Sequence, residues 1–264
     1  MRWFPATLAL ALAAALLFLA LPIVAIFVDS SPTELLDRLG DPAARDALWL
    51  SLRCTASALA IILVVGTPAA YLLATRSFRG KALAVTLIEL PLVLPPAVAG
   101  IGLLAALGPN GILGDTLDAA GIELSLTTLG VIVALTFVAS PFYLRQAMAA
   151  FAAVDRTLLD ASRTLGVSEA RSLARVMIPA AMPGLVAGGA LALGRALGEF
   201  GATLMFAGSL QGITQTAPLA IYALFGTDLD AALALSAVLV AVSGAILLSV
   251  KLVGGSEVLG GAPR

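Results

Sequence analysis

Histidine is absent from the 264 residues, and cysteine occurs once, at Cys54. The first absence removes the side chain that titrates near neutral pH and the commonest metal ligand; the second excludes disulfides and thiolate-held metal clusters. Metalloenzyme chemistry is therefore not expected. Charge is also scarce, at 12% of the chain against about a quarter in a soluble domain. No phosphate-binding loop of the form G-x-x-x-x-G-K-[ST] is present, because Gly80-Lys81 lacks both the earlier glycine and the following hydroxyl. The chain is not expected to hydrolyse ATP, to bind a cofactor or to take a nucleic-acid partner.

What is abundant is apolar sequence: 60% of residues are hydrophobic and the mean hydropathy is +1.05. A hydrocarbon core about 30 Å thick takes roughly 20 apolar residues per helix. Six segments meet that length, at about 5–28, 48–75, 82–106, 126–149, 180–207 and 231–252. The expectation is an all-α polytopic membrane protein with one transmembrane domain over 1–264 and both termini on one side. The first run is too long for a secretory core, so it is read as an anchor in the lipid. Arg2, Arg76, Arg79, Lys81, Arg145, Arg156, Arg163, Arg171, Arg175 and Lys251 all fall on one side, which the positive-inside rule makes cytoplasmic. The opposite segments carry Asp29, Glu34, Asp37, Asp41, Asp46, Asp115, Asp118, Glu123, Asp228 and Asp230, with Arg38 and Arg45 against them. No internal repeat supports an inverted-repeat carrier.

Between the fourth and fifth spans, at about 150–179, lies a polar loop. Leu158, Leu159, Ala161 and Leu165 recur at helical spacing, with Arg156, Asp160 and Arg163 on the other face. Gly166 is read as the stop of this helix, and Ser168 as the N-cap of a second one with Glu169 in its first turn. Pro179 marks entry into the fifth span. The stretch from Leu159 to Gly166, followed after nine residues by Val176-Met177-Ile178-Pro179, resembles the cytoplasmic EAA loop of ABC-importer permeases. Asp160 stands where that consensus has Glu, and Ser162 where it has the second Ala. The resemblance implies a type I permease fold. It also implies that this loop is a coupling helix seated in an ATP-binding subunit, with Asp160, Ala161, Ser162, Gly166 and Pro179 as coupling positions. It further implies a permease homodimer on two ATP-binding cassette subunits, which use the ATP and Mg. The bland alternative is an amphipathic helix lying on lipid headgroups.

The fifth span contains Arg195 and Glu199, four residues apart and so on one helical face. Charges within a membrane normally face a bundle interior or a water-filled path. The pair reads either as a gate or pathway lining for an anion, or as an internal structural ion pair. Pro91, Pro95 and Pro96 remove backbone donors and kink or break the third span, a feature tolerated where the backbone lines a cavity or packs on neighbours. Glu89 and Arg53 either line the path or reach the interface by snorkelling. The wording Leu197-Gly198-Glu199-Phe200-Gly201-Ala202-Thr203, together with Leu90-Pro91-Leu92-Val93-Leu94-Pro95-Pro96, is similar to the molybdate and tungstate branch of those permeases, with sulfate permeases nearest to it. That resemblance implies import of a tetrahedral oxyanion delivered by an extracytoplasmic binding protein, across a bacterial or archaeal inner membrane. Sulfate or thiosulfate is the alternative cargo. A proton-coupled carrier has only Glu89 and Glu199 for a relay, and an intramembrane protease lacks the His or well-placed Lys it needs.

Overall fold

The computed structural model describes residues 3–29 and 40–254. Arg2, Glu34, Asp37 and Arg38 lie outside the described residues. Helix α1 (Trp3–Asp29) is followed by α2 (Pro42–Thr75), α3 (Lys81–Val93), α4 (Pro96–Leu107) and the short α5 (Gly114–Ala119). Helix α6 (Thr128–Ala153) leads into α7 (Arg156–Thr164) and α8 (Glu169–Ser172), which passes through a π-helical turn, Leu173–Met177, into α9 (Ile178–Leu197). The chain then forms α10 (Gly201–Ala207), α11 (Ala217–Phe225) and α12 (Leu229–Gly254). No strand occurs among the described residues.

Among the described residues, five continuous stretches are long and apolar enough to cross a bilayer: Trp3–Val28, Pro42–Thr75, Thr128–Ala153, Glu169–Leu197 and Leu229–Val250. A sixth crossing exists only if α3 and α4 are taken together, and they are bent by 120°. The proline run predicts a kink or break here, and it accounts for the sharpness of the bend. Leu94 precedes Pro95, which drives it out of the helical region to φ −70 and ψ 131. Pro95 and Pro96 then open α4, where a missing N–H costs nothing.

Helix α6 is the axis of the core, packed between α2 and α9. Cys54, Ala58 and Ile62 of α2, Val131, Leu135, Ala139 and Tyr143 of α6, and Leu185 and Ala192 of α9 form one buried cluster. Lipid supplies no hydrophobic drive between helices, so close approach through small residues carries the packing. At Gly184 an added Cβ would lie 2.5 Å from the Cβ of Ala150, and at Gly66 it would lie 2.9 Å from the ring of Tyr143. The Tyr143 hydroxyl is in turn 2.6 Å from Thr67 Oγ1. Helix α1 stands outside this core: it leans on α12, and no part of its apolar stretch is buried.

The fifth span of the sequence reading, 180–207, is not one rod. The helix that enters at Glu169 ends at Leu197, and Gly198, Glu199 and Phe200 are non-helical before α10 resumes. This second break meets the first. A Cβ on Gly201 would lie 2.8 Å from the Cβ of Pro96, and one on Gly100 would lie 2.6 Å from the Ala202 carbonyl oxygen, so α4 and α10 run nearly backbone to backbone.

Candidate coupling hairpin and charged break

At the end of the bundle where α2 and α6 finish, α7 and α8 form a hairpin. Asp155 opens it: its Oδ1 accepts the Thr157 N–H at 2.9 Å, the bond expected of an N-cap. That bond to the carboxylate form holds the Asp155 carboxyl below its usual range. Gly166 closes α7 at φ +72, a backbone region that strains any side chain with a Cβ. There the Val167 N–H reaches back to the Ser162 carbonyl at 3.1 Å, the six-to-one closure that satisfies a terminal carbonyl. Ser168 holds the N-cap position of α8, yet its hydroxyl makes no capping bond.

Of the coupling positions expected from sequence, Asp160 and Ala161 lie on the exposed side of α7, and Ser162 is buried. Ser162 Oγ donates to the Leu159 carbonyl at 2.7 Å and lies 2.8 Å from Ser172 Oγ. With its own proton committed to Leu159, Ser162 is left to accept from Ser172. The residue that replaces alanine in the consensus is thus a cross-brace between α7 and α8. The apolar face expected of α7 is divided: Leu159 is buried, whereas Leu158 is 47% exposed and Leu165 80% exposed. Pro179 does not interrupt the chain. The helix runs from Glu169 to Leu197 because the π turn just ahead of the proline shifts the pairing, with the Ile178 N–H bonding to the Leu173 carbonyl.

A further tie escapes the sequence reading. Arg76, at the end of α2, donates from one nitrogen to both oxygens of Glu169, at 2.6 and 2.8 Å, which fastens the hairpin to α2 and raises the Arg76 guanidinium further above its already high value. Only the sign difference signals this pairing in the sequence, since the partners are 93 residues apart.

At the break in the fifth span, Arg195 and Glu199 do pair, but not along a continuous helix. Glu199 is 1% exposed and Arg195 24%. One carboxylate oxygen faces the Arg195 guanidinium, and the other accepts the Ala202 N–H at 2.7 Å. The carboxylate therefore sits against the N-terminus of α10, where negative charge is favoured. Beside it Phe200 packs against Tyr222 with ring centroids 4.9 Å apart, and a groove of about 410 Å³ opens between Gly198, Phe200, Pro218, Tyr222 and Phe225. Pro95, Pro96, Arg195 and Glu199, which the sequence offers separately, are thus gathered around two adjoining breaks. Glu89 also has a specific partner: Arg145 Nε lies 3.3 Å from its Oε1, between α3 and α6.

A helical membrane bundle with a polar hairpin at its basic end and helix breaks in its middle has the form of a permease subunit. Residues 62–253 match the family described as "Binding-protein-dependent transport system inner membrane component", and the chain belongs to that family. It is 41% identical over 239 residues to the molybdenum transport system permease protein ModB of Mycobacterium tuberculosis, covering 90% of each chain. It is 38% identical to the probable transport system permease protein NifC of Clostridium pasteurianum, over 89% of this chain and 82% of the relative. Among solved structures, a bacterial ABC transporter involved in alginate import matches 96% of this chain and 95% of its own, with a TM-score of 0.75 at 17% identity. The MetNI methionine ABC transporter matches 83% and 95%, with a TM-score of 0.58 at 19% identity. At those identities the likeness is one of fold.

Proposed function

We propose that this chain is the transmembrane subunit of an ATP-driven importer that carries molybdate or tungstate inward by alternating access. The observation that carries the reading is the hairpin: a braced, glycine-turned element presenting Leu158 and Leu165 to the outside at the basic end. Exposed leucines on a polar hairpin suit a groove on a protein partner better than water. The relatives named for molybdenum transport support the cargo.

In this reading two copies pair, and two ATP-binding cassette subunits, which supply ATP and Mg, receive the hairpins. An extracytoplasmic oxyanion-binding protein docks on the acidic end, where Asp115, Asp118 and Glu123 line a recess of about 390 Å³. Both termini are cytoplasmic, and residues 1–264 are a single permease domain. Closure of the ATP-binding subunits pushes α7, and the Ser162–Ser172 brace and Arg76–Glu169 tie carry that push to α9 and α2. The breaks at Leu94–Pro95 and Gly198–Phe200 are the joints at which α4 and α10 swing. Asp160 and Ala161 touch the partner, Gly166 sets the turn, and Pro179 follows the π turn. Arg195 and Glu199 hold the break at the gate. No covalent step on the cargo is required of this chain.

The test is reconstitution in liposomes with the ATP-binding subunit and the binding protein. Molybdate or tungstate loaded on the binding protein is expected to stimulate ATP turnover and to accumulate inside. Stimulation by sulfate alone would overturn the cargo, and turnover unaffected by any oxyanion would overturn the transport reading.

A further inference from the structure

The Glu89–Arg145 pair is unlike the Arg195–Glu199 pair in one respect: it is not enclosed. The Arg145 side chain is 61% exposed and that of Glu89 39%. Both nonetheless lie within membrane-spanning segments. Arg145 is eight residues from the end of α6 at Ala153 and Glu89 is eight residues from the start of α3 at Lys81, so each is roughly 12 Å in from the basic end. A charged pair at that depth is costly against hydrocarbon, and such groups face a bundle interior or water.

The burial of α6 says which. From Gly130 to Leu144 no residue of α6 is exposed, whereas beyond them Arg145, Ala149, Ala152 and Ala153 are. Helix α6 is therefore wrapped along its outer part and opens at the level of Arg145. Facing that opening, α3 has no buried residue at all. A half-exposed charged pair on the side where α6 is uncovered, inside a membrane-spanning segment, suits a water-filled path and not hydrocarbon.

We propose that Arg145 is an anion-binding step of the translocation path, with Glu89 as the counter-ion that occupies it between cargoes. This inference rests on the oxyanion reading above. A guanidinium offers a planar fork of N–H donors that matches two oxygens of a tetrahedral dianion. A half-exposed ion pair is worth little on its own, so exchange of the Glu89 carboxylate for an oxyanion costs little, and Glu89 can reclaim Arg145 as the cargo leaves. A permanently free arginine would retain the anion; a permanently buried pair would never meet it.

The experiment uses the reconstituted transporter carrying Cys54→Ala, since Cys54 is buried and is the one native thiol. Ala149→Cys, one turn from a retained Arg145 on the same exposed face of α6, is introduced and treated with the anionic thiol reagent methanethiosulfonate ethylsulfonate; Val64→Cys, 74% exposed on α2, serves as the lipid-facing control. Labelling at position 149 at least about tenfold faster than at position 64, slowed by molybdate, is expected. Labelling no faster than the control, or faster labelling indifferent to molybdate, overturns the proposal. So does spontaneous disulfide formation at position 149 between two copies without labelling, which would make this surface an interface. In parallel, Arg145→Gln is expected to lower uptake about tenfold, the size of one lost charge-assisted contact, and Arg145→Lys, which keeps the charge but not the fork, to lower it by less. Equal loss in both variants would assign Arg145 a structural role. If unmodified transporter shows oxyanion-stimulated ATP turnover but position 149 behaves as the control, the Arg145 step fails and the transport reading stands. If no oxyanion stimulates turnover, it is the transport reading that fails.

Discussion

The hydroxyls of Ser162 and Ser172 lie 2.8 Å apart, both buried, across the hairpin between the fourth and fifth spans. Ser162→Ala or Ser172→Ala leaves one buried hydroxyl without this partner, a loss of about 1–2 kcal/mol in the hairpin, whereas removing both leaves no orphan. The double variant is therefore expected to lose less than the sum of the two singles. Thermal unfolding of the detergent-solubilised complex, taken as a double-mutant cycle, measures this; strictly additive losses would mean that the contact carries no coupling.

At Gly166 the backbone needs a positive φ, which proline cannot adopt and asparagine tolerates. Gly166→Pro is expected to abolish oxyanion-stimulated ATP turnover while leaving membrane insertion intact, and Gly166→Asn to retain most of the stimulation. Normal uptake by the proline variant would count against the hairpin as the transmitter.

Gly201 has no room for a methyl group against Pro96, nor Gly184 against Ala150, while Gly194 has nothing within 4 Å. Gly201→Ala and Gly184→Ala should each destabilise the bundle by about 1–3 kcal/mol, through overpacking of small-residue contacts. Gly194→Ala should be close to neutral. Retained monodispersity after graded heating ranks the three, and a neutral Gly184 variant would contradict the close packing of α9 on α6.

The Asp155 carboxyl is held below its ordinary range by the Thr157 N–H, so the carboxylate form favours the ordered hairpin. For a depressed group, that contribution is fully present above the unfolded value of about 4 and is lost as pH falls through the lower folded value. Protection of the Thr157 amide from hydrogen exchange is expected to be flat near neutrality, after correction for intrinsic rates, and to collapse only under strong acid. In Asp155→Asn that acid step should disappear, and an unchanged step would assign it to another group.

The Arg76–Glu169 tie is half-exposed on both sides, 52% each, so its removal should change overall stability little. Its expected effect is on transmission. Arg76→Gln should weaken the link between nucleotide turnover and uptake, and exchanging the two charges should restore part of it. A stability loss that accounts for the whole effect would remove the tie from the transmission route.

How much of this is legible in the sequence depends on how local the signal is. The all-α membrane class follows from the apolar runs, and the turn at Gly166 from a glycine placed between two amphipathic segments. The bend at Pro95 is legible because proline acts on its own backbone and on the residue before it. The break at Gly198–Phe200 is not, because Arg195 and Glu199 fit a continuous helix equally well by spacing; the Glu199 bond to the Ala202 N–H and the packing of Gly201 on Pro96 accompany the broken course. Ser162 reads as a surface contact because its partner Ser172 lies beyond the turn. The pairing of Glu89 with Arg145 depends on how α3 lies along α6, which no local pattern encodes.

The π turn at Leu173–Met177 has a consequence for helical phase. One residue more or fewer rotates everything beyond it by about 100° around the helix axis. The compass direction in which the hairpin points, relative to the membrane segment it joins, is thus fixed by a single surplus residue. Deleting one amino acid from that turn would leave composition, length and polarity almost untouched, yet aim the lever at empty space.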